Sequence, residues 1–477
     1  MNTPINHDDL FIDGEFVEAA SKDRFTAINP ATEEVLGTVP ISNAEDIDRA
    51  VRGARTAFST WSQTTGAERA EVLSRLADAF AARGDDIAAL VSRQNGAPQW
   101  WVNQNKRITE AIYRNGAKNA AAILAEEVLP GGEHGTVVRK EPLGVVAAIV
   151  PWNSPQALLS MKIAASLAAG CTVVVKPSPE TSLDIYLLAE AIREAKVPPG
   201  VINIVTGAAE TGANLVAHPG IDKVSFTGST AAGRAIAISC AENLKPLTAE
   251  LGGKSAAVLL EDADIEVFTD SIPWRCLPFS GQVCHAITRV IVPRSRHQEV
   301  LDAMVEKLSS LSYGDTSDPD NLLGPLATAA QRDRVEEYIK LGVQEGARLV
   351  LGGGRPKGFD SGYYIEPTIF TDTDPSMRIF TEEIFGPVLC VAVYDTEDEA
   401  AALHDATNFG LSGSVFSRDI EHATEFARRL GTGEVLINGK HGAPNVDLVR
   451  SFYKHSSLGG GMDLVSRYQL TKSIPRA

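Results

Sequence analysis

Four short apolar runs rich in β-branched residues recur in the middle of the chain, and their spacing restricts the fold. The runs are Gly144–Val150, Thr172–Val175, Asn203–Val205 and Lys223–Phe226. Segments of helical composition lie between them, namely Met161–Ala169, Leu183–Ala195 and Glu210–Ala217. Strand and helix alternating at roughly 20–30-residue spacing are typical of a parallel sheet covered by helices on both faces. We therefore predict a doubly wound, Rossmann-like α/β domain.

The flanking sequence predicts a second α/β domain and a small β module. A second alternation begins at Ala256–Leu260 and Arg289–Val292 and continues to about Gly431. Val128–Lys140 is a poor core strand and predicts a protruding hairpin, whereas Tyr468–Ile474 alternates as an exposed strand does. Because an unpaired strand edge tends to pair with another chain, we expect a homo-oligomer, either a dimer or a tetramer. Ser42 and Glu45 have the spacing of a capping box and predict the start of an early helix.

Composition excludes several classes of function. The net charge of −17 comes without a long basic run, which argues against nucleic-acid binding. No apolar run approaches the ~20 residues of a membrane span. The five cysteines form no CxxC pair, which favours reduced thiols, and the polar N-terminus has no apolar signal core. We expect a cytoplasmic protein without nucleic-acid or membrane partners.

A glycine-rich turn follows the fourth predicted strand. Gly228 and Gly233 bracket the start of a predicted helix, where free backbone N–H groups attract a pyrophosphate. The spacing is GxxxxG and does not meet the GxGxxG dinucleotide fingerprint. The spacing alone does not decide whether this turn binds a phosphate or only connects a strand to a helix.

Three polar residues follow predicted strands or precede glycines. Lys176 ends a strand and can reach a ribose or phosphate, although a solvated lysine is the alternative. Glu250 precedes a Gly pair and can act as a general base if burial raises its pKa, but it can also be a surface residue. Asn153 can donate to an oxyanion or simply occupy a turn.

Cys284 is the candidate nucleophile, although a lone intracellular cysteine is usually an inert apolar residue. Gly281 and Gln282 give its segment turn character. The adjacent His285 points away from the cysteine in regular structure, and the nine histidines show no ligand spacing, so no metal site is expected. A thiol, a hydride-acceptor site and a base together suggest oxidation of a carbonyl through a thioester.

Six ordered motifs together resemble the aldehyde dehydrogenase superfamily along essentially the whole chain. They are Pro151-Trp-Asn153, Lys176-Pro-Ser178, Phe226-Thr-Gly-Ser229 with Gly233, Glu250-Leu-Gly-Gly253, Gly281-Gln-Val-Cys284 and Glu382-Glu-Ile-Phe-Gly-Pro387. The resemblance implies a cofactor-binding domain over 1–125 and 142–252 and a catalytic domain over 253–450. It further implies an oligomerisation module made of 126–141 and 464–477.

The resemblance also implies the roles of individual residues. Cys284 matches the nucleophile, Asn153 with the Cys284 N–H the oxyanion hole, and Glu250 the base that hydrolyses the thioester to a carboxylic acid. The implied cofactor-binding residues are Val150, Pro151, Trp152, Lys176, Ser178, Pro179, Gly228, Ser229, Gly233, Leu251, Glu383 and Phe385. The implied substrate pocket comprises Leu158, Met161, Trp274, Arg275, Phe279, Val283, the Val446 region and Phe452.

Three departures from the family pattern affect these expectations. Pro179 stands where many relatives have a ribose-binding glutamate, and Glu180 follows one residue later, so we expect NAD with NADP or dual use open. Phe279 replaces an asparagine five residues before the nucleophile. Ser451–Lys454 replaces the usual Pro-Phe-Gly-Gly stretch, so the loop over the substrate mouth must run differently.

The apolar and aromatic pocket residues predict a hydrophobic aldehyde, such as a medium-chain, terpenoid or aromatic one. Arg275 favours a semialdehyde instead, because an inward guanidinium can hold a carboxylate. A non-catalytic scaffold relative and a thiol esterase are two further hypotheses. The presence of Cys284 and Glu250 argues against a scaffold, and NADH formation separates the dehydrogenase from the esterase.

Overall fold

The computed structural model describes residues 4–123, 126–130, 134–439 and 451–476. The strands in the first half of the chain are β1 (Ile5–Asn6), β2 (Asp9–Ile12), β3 (Glu15–Glu18), β4 (Arg24–Ile28), β5 (Val35–Pro40), β6 (Glu126–Leu129), β7 (Thr136–Pro142), β8 (Val145–Ile149), β9 (Thr172–Lys176), β10 (Ile202–Ile204), β11 (Lys223–Thr227) and β12 (Leu247–Glu250). The helices there are α1 (Ala44–Trp61), α2 (Gly66–Asn95), α3 (Gln99–Ala122), α4 (Pro155–Ala169), α5 (Asp184–Glu194), α6 (Ala209–Ala217) and α7 (Thr230–Glu242).

The remaining elements complete a second half of similar type. Its strands are β13 (Ser255–Leu259), β14 (Ile287–Pro293), β15 (Arg348–Leu351), β16 (Thr368–Thr371), β17 (Val388–Tyr394), β18 (Phe409–Gly410), β19 (Ser412–Phe416), β20 (Glu434–Ile437), β21 (Tyr453–Lys454), β22 (Ser457–Leu458) and β23 (Gln469–Pro475). Its helices are α8 (Ile265–Arg275), α9 (His297–Ser309), α10 (Ala329–Gln344), α11 (Arg378–Thr381), α12 (Glu397–Asp405) and α13 (Ile420–Ala427).

The first large sheet has the order β22-β12-β11-β8-β9-β10-β2-β3. Its five central strands, β12 to β10 in that order, are parallel, and β22 and β2 add antiparallel edges. Every residue of β8, β9 and β11 is buried because helices cover both faces of the sheet. The predicted doubly wound α/β arrangement is confirmed, with strand bounds within two residues of those expected from the sequence.

The second large sheet has the order β15-β16-β17-β14-β13-β19-β20 and is parallel except for its β15 edge. A third sheet joins β23, β7 and β6 in antiparallel register. The predicted hairpin is therefore β6–β7, and the predicted C-terminal strand pairs with it as β23. The predicted second α/β unit and small β module are both present. None of the described helices is long and apolar enough to cross a membrane.

The start of α1 differs from the sequence prediction. The capping residue is Asn43, whose side chain accepts from the Asp46 N–H, while the Asp46 carboxylate accepts from the Asn43 N–H. The predicted pair, Ser42 and Glu45, lies one residue too early. Asp46 also accepts from the Ala20 N–H, a tertiary contact that supports the observed register and that local spacing does not reveal.

Candidate active site

The polar residues predicted for catalysis and cofactor binding follow the carboxyl ends of parallel strands. Asn153 follows β8, Lys176 ends β9, Ser229 follows β11 and Glu250 ends β12. Neighbouring parallel strands end at the same edge of a sheet, so these side chains gather there. Residues at this edge contact the loop before β14, which carries Cys284.

The loop before the nucleophile has an unusual backbone. Phe279 (φ 47°) and Ser280 (φ 54°) both adopt left-handed conformations and Gly281 (φ 76°) continues them. Such conformations cost a non-glycine residue roughly 1–2 kcal/mol and are better tolerated by asparagine, the residue that Phe279 replaces. Ser280 Oγ secures the turn by donating to the Gly324 carbonyl at 2.6 Å. The Gln282 Oε1 accepts from the Ala327 N–H at 2.9 Å.

A buried hydrogen bond joins this loop to the first sheet. Asn153 Nδ2 donates to the Gln282 carbonyl at 2.9 Å, two residues before Cys284. Asn153 is 5% exposed, and its amide carries two N–H groups, so one remains for a second acceptor. The strand end that carries Glu250 approaches the same loop, because a Cβ on Gly253 would lie 2.2 Å from the Cys284 carbonyl. Only glycine allows this approach.

Cys284 is half-buried, whereas Cys171, Cys240, Cys276 and Cys390 are buried. It is therefore the most accessible thiol of the chain. Burial, together with the nearby carboxyl groups of Glu250 and Glu383, raises the pKa of the Cys284 thiol to about 12. At neutral pH the thiol is protonated, so its activation requires a group that takes the proton.

Glu250 is the carboxyl group suited to take the proton from the Cys284 thiol. Burial raises its pKa to about 7, where both protonation states are populated at neutral pH. Lys162 opposes this rise, as does the Thr227 hydroxyl, which lies 3.5 Å from Glu250 Oε2. Cys284 and Glu250 thus combine a protonated thiol with a carboxyl group poised near neutrality.

A buried ion pair lies behind Glu250. Lys162 Nζ lies 3.0 Å from Asp463 Oδ2, and both side chains are 1% exposed. Burial opposes ionisation of Asp463, but Lys162 and hydrogen bonds from the Tyr468 and Ser225 hydroxyls hold its pKa below the usual value. The pair fixes the C-terminal segment, whose β22 runs beside β12 with Ser457 opposite Glu250.

Lys176 is buried at the end of β9, and its ammonium donates to the Pro177 and Gly207 carbonyls at 2.7 and 2.8 Å. Burial lowers the pKa of Lys176 to about 8, and the Glu180 carboxylate opposes this shift. Ser178 Oγ donates to Glu180 Oε2 at 2.5 Å. The short 3₁₀ turn Pro179–Thr181 therefore holds an acid beside Lys176 although Pro179 occupies the motif position.

The glycine-rich turn forms the start of α7. Ser229 is its N-cap and accepts from the Ala232 N–H at 3.2 Å, and Gly228 precedes it at the sheet edge. A Cβ on Gly233 would lie 2.4 Å from Leu251 Cδ2, so this glycine lets α7 pack closely on the loop after β12. The unpaired N–H groups of the first helical turn suit a pyrophosphate.

Glu383 and Phe385 approach from the second large sheet. The Gly253 N–H donates to Glu383 Oε1 at 2.9 Å, and burial raises the pKa of Glu383 to about 7. Phe385 has φ 66° and packs edge-on against Trp152 with ring centroids 5.5 Å apart. Trp152 belongs to the partly exposed turn Pro151–Trp152 that follows the buried Val150. Of these groups, Glu383 lies close enough to Cys284 to influence the pKa of its thiol.

The residues predicted for the substrate pocket have diverse surroundings. Trp274 is 47% exposed and packs edge-on against Trp100 at 4.8 Å. Arg275 is buried, and its Nε donates to the Gly439 carbonyl at 2.9 Å. The Glu434 carboxylate also lies close enough to influence the pKa of Arg275, which burial lowers.

Phe279 is fully buried, with its ring 6.5 Å from Trp101 and 6.2 Å from Trp152. Its ring therefore packs against the buried Trp101 and the partly exposed Trp152. Leu158, Met161 and Phe452 are half-buried, Val283 is buried, and Val446 lies outside the described residues.

The altered loop at Ser451–Lys454 is anchored by hydrogen bonds. Tyr453 and Lys454 form β21 against β18, and Lys454 Nζ donates to the Asp405 and Thr407 carbonyls at 3.0 and 3.2 Å. Phe452 keeps its aromatic ring packed against Gly461, where a Cβ would lie 2.4 Å away.

Three residues that the motif analysis did not single out hold the site together. Asn95 Nδ2 donates to the Trp152 carbonyl at 3.0 Å, and Trp101 Nε1 lies 3.4 Å from the Asn153 carbonyl. Gln331 Nε2 donates to the Ile384 and Phe385 carbonyls at 3.1 and 2.8 Å. Asn95 precedes Gly96, a left-handed helix cap, and such an Asn-Gly pair indicates a helix end but not the residue to which the asparagine donates.

The arrangement fits a dinucleotide. The first turn of α7 suits the pyrophosphate, Lys176 and Glu180 suit one ribose, and Glu383 suits the other next to Trp152 and Phe385. Among the residues that the structure describes, no cluster of three or more His, Cys, Asp or Glu side chains could hold a metal ion.

Comparison with known proteins agrees with this geometry. A model of the aldehyde dehydrogenase family matches residues 16–474. Geranial dehydrogenase of Castellaniella defragrans is 46% identical over 476 residues, covering 98% of this chain and 99% of that protein. The structure of a Mycobacterium tuberculosis aldehyde dehydrogenase complexed with NAD+ aligns with a TM-score of 0.95 at 39% identity, covering 99% of this chain and 98% of that one.

A second solved structure is similar over the same extent. A mutant of aldehyde dehydrogenase C from Pseudomonas syringae, complexed with NAD+ and octanal, aligns with a TM-score of 0.93 at 38% identity. The alignment covers 98% of this chain and 96% of that one. Together with the grouping of Cys284, Asn153 and Glu250, these matches show that the chain belongs to the aldehyde dehydrogenase family.

Proposed function

We propose that this protein oxidises an apolar aldehyde to its carboxylic acid with NAD+, through a thioester on Cys284. The observation that carries the proposal is the hydrogen bond from Asn153 Nδ2 to the Gln282 carbonyl, which holds an amide donor beside the nucleophile's loop. Glu250 and Glu383 lie close enough to Cys284 to influence its pKa. A donor, a thiol and two carboxyl groups therefore meet in one site.

The first half of the reaction is carried by Cys284 and Asn153. Glu250 takes the thiol proton, and the sulfur adds to the aldehyde carbon. The negative charge that develops on the aldehyde oxygen is stabilised by the second Asn153 N–H and by the Cys284 backbone N–H. Removing one such donor typically costs about 2.7–4 kcal/mol in the barrier. Bound NAD+ supplies the hydride acceptor, and the carbon left on the sulfur is then a thioester.

The second half of the reaction requires Glu250. Its carboxylate takes a proton from water as the water oxygen adds to the thioester carbon, and the Cys284 sulfur leaves as the carboxylic acid forms. A pKa of about 7 makes the carboxylate available at neutral pH and keeps it basic enough to accept the proton. This hydrolytic base supports a free acid as product in preference to transfer to a thiol such as coenzyme A.

We propose NAD+ as the preferred coenzyme because Glu180 supplies the carboxylate that the motif usually carries one residue earlier, at the position of Pro179. Its carboxylate is held by Ser178 and lies close to Lys176, where the adenosine ribose is expected. A fixed negative charge at this point disfavours the additional phosphate of NADP+. The relative from Mycobacterium tuberculosis was solved with NAD+, which agrees with this choice.

The interactions of the Arg275 guanidinium favour an apolar substrate. Its guanidinium is engaged by the Gly439 carbonyl and lies close to Glu434, so it is a poor partner for a substrate carboxylate. Trp274 and Trp100 offer aromatic surface instead. The relatives named for geranial and solved with octanal act on, or bind, apolar aldehydes. A semialdehyde remains the second candidate, since Arg275 is the one cation in the predicted pocket.

We further propose a homo-oligomer in the cytoplasm. The small sheet of β6, β7 and β23 exposes Val128 (56%) and Leu470 (55%), and α7 exposes Ile238 (65%). Exposed apolar side chains on strand edges and helices favour burial against a second copy. All five cysteines are free, which agrees with a reducing compartment.

The oligomeric state is tested by light scattering. At micromolar concentration it should give the mass of a dimer or tetramer, and a stable monomer would contradict the proposed homo-oligomer.

The reaction is tested with Cys284→Ala. We expect wild-type protein to form NADH and acid from octanal, and the variant to lose turnover because no sulfur adds to the aldehyde. NAD+ binding, measured by calorimetry, should remain within about twofold, since the thiol is not a coenzyme ligand in this account. Cys240→Ala, at a buried cysteine near the C-terminal end of α7, is the matched control. Acid formation at the wild-type rate by Cys284→Ala would refute the assignment, and ester cleavage without NADH formation would indicate a thiol esterase.

Coenzyme choice is tested with Glu180→Gln. The substitution removes the charge beside Lys176 while keeping the shape, so the ratio of kcat/KM for NAD+ to that for NADP+ should fall at least about tenfold. Glu242→Gln, at the exposed end of α7, makes the same change in net charge and should leave the ratio unaltered. An unchanged ratio in Glu180→Gln would show that Glu180 does not select the coenzyme.

A further inference from the structure

Lys254 is a buried cation that lies just beyond the Glu250–Gly253 motif, in the connection between β12 and β13. The residue is 2% exposed, and its ammonium has no hydrogen-bond partner among the residues that the structure describes. An ammonium is costly to bury unless a negative charge compensates it, because the interior solvates charge poorly. The groups around Lys254 show which side chain can supply that charge.

The Glu383 carboxylate lies on the backbone immediately before Lys254. The Gly253 N–H donates to Glu383 Oε1 at 2.9 Å, and a Cβ on Gly252 would lie 2.5 Å from Glu383 Oε2. Burial has the largest effect on both ionisable groups, raising the pKa of Glu383 to about 7 and lowering that of Lys254 to about 8. The charge of each group opposes the shift of the other, so the two side chains stabilise each other's ionised forms.

Two other side chains near Lys254 are poorly suited to balance its charge. The carboxylate of Glu382 is partly exposed and accepts from Arg378 Nε at 2.9 Å and from the Tyr338 hydroxyl at 2.6 Å. Burial raises the pKa of the Cys390 thiol, which is therefore uncharged at neutral pH. Neither the engaged carboxylate nor the neutral thiol replaces a buried, ionised partner.

Two arginines add positive charge to the same region. Arg289 is 1% exposed and donates to three backbone carbonyls, including that of Lys254 at 2.9 Å, and its charge disfavours the charged form of Lys254. Arg334 is exposed to solvent and donates to the Glu383 main-chain carbonyl at 2.7 Å. The nearby Cys284 thiol is protonated at neutral pH and adds no charge. Ionised Glu383 is therefore the buried group that best balances Lys254.

We propose that Lys254 is a positioning residue for the coenzyme, because its ammonium keeps Glu383 ionised on the Gly252–Gly253 backbone, ready to accept from the nicotinamide ribose. The inference rests on the proposed function, in which Glu383 holds this ribose. An ionised carboxyl group accepts at both oxygens, whereas a protonated one must donate from one of them, and hydrogen bonds to the ionised group are stronger. NAD+ therefore binds the form in which Glu383 is ionised and Lys254 is charged.

The pH dependence of NAD+ binding tests the proposal. The affinity of wild type, measured by calorimetry, should rise as pH increases through about 7, because deprotonation of Glu383 produces the form that binds. Lys254→Met removes the charge at similar length, so the pKa of Glu383 rises and the increase in affinity should move to higher pH by about one pH unit or more. The variant should bind NAD+ at least about threefold more weakly than wild type at about pH 6.5 and within about twofold at about pH 9, where Glu383 is ionised in both proteins.

Three further variants isolate the effect. Lys254→Gln removes the same charge but keeps a polar end, so it guards against misfolding of the methionine variant and should give the same displaced profile. Glu383→Gln cannot ionise, so its affinity should not rise through pH 7, and adding Lys254→Met to it should not alter the shape of the profile. Lys340→Met, on the exposed face of α10, makes the same change in net charge and should keep the wild-type profile.

The outcomes distinguish charge balance from a structural role. A loss of affinity that is equal at every pH in folded Lys254→Met would overturn the proposal, as would a wild-type profile in both Lys254 variants. A rise through pH 7 that persists in Glu383→Gln would also overturn it, because another group would then titrate. Absence of NAD+ binding to wild type at every pH would instead refute the proposed function, and this inference with it.

Discussion

The hydrogen bond from Asn153 to the Gln282 carbonyl is the interaction on which the site depends. It joins a turn at the carboxyl edge of the first sheet to the loop that carries Cys284 before the second sheet. Buried and charge-neutral, it is worth only about 0.5–1.5 kcal/mol in stability, but it sets where the donor and the sulfur lie relative to each other. Asn95 and Trp101 hold the other side of the same turn.

Burial determines the chemistry of the groups so assembled. The same exclusion of water raises the pKa of Cys284, Glu250 and Glu383 and lowers that of Lys176. Each shift favours the neutral form of its side chain. The resting site therefore carries less charge than the same side chains would carry in water. In this protein a resting thiol and a carboxyl group near neutrality can exchange a proton without creating a separated pair of buried charges.

Much of the fold could be predicted from the sequence because buried parallel strands are short, β-branched and separated by helices. The runs at β8, β9 and β11 satisfied that pattern, and their ends located Asn153, Lys176 and Ser229. The start of α1 was predicted one residue too early, because the hydrogen bond from the Ala20 N–H to Asp46 is a tertiary contact that local spacing does not reveal. The site was predicted through the family's motifs, whereas composition and spacing alone left Cys284 ambiguous.

Other features could not be predicted because they depend on partners far apart in the chain. The hydrogen bonds from Gln331 to the Phe385 carbonyl and from Arg275 to the Gly439 carbonyl produce no local sequence pattern. The acid next to Lys176 was expected to be missing from its motif position, and a short turn nevertheless holds Glu180 there.

The central claim is that Glu250 hydrolyses a thioester formed on Cys284, and rapid mixing of Glu250→Gln with NAD+ and octanal tests it most directly. We expect a burst of one equivalent of NADH per active site, slower than that of wild type because Glu250 also takes the thiol proton, followed by turnover that is slowed much more, by at least about 100-fold, with the acyl group recovered on the Cys284 peptide by mass spectrometry. Because base activity requires the ionised carboxyl group, wild-type turnover should rise as pH increases through about 7, and this rise should be absent in Glu250→Gln. Equal slowing of the burst and of turnover, with no acyl group on Cys284, would contradict the account.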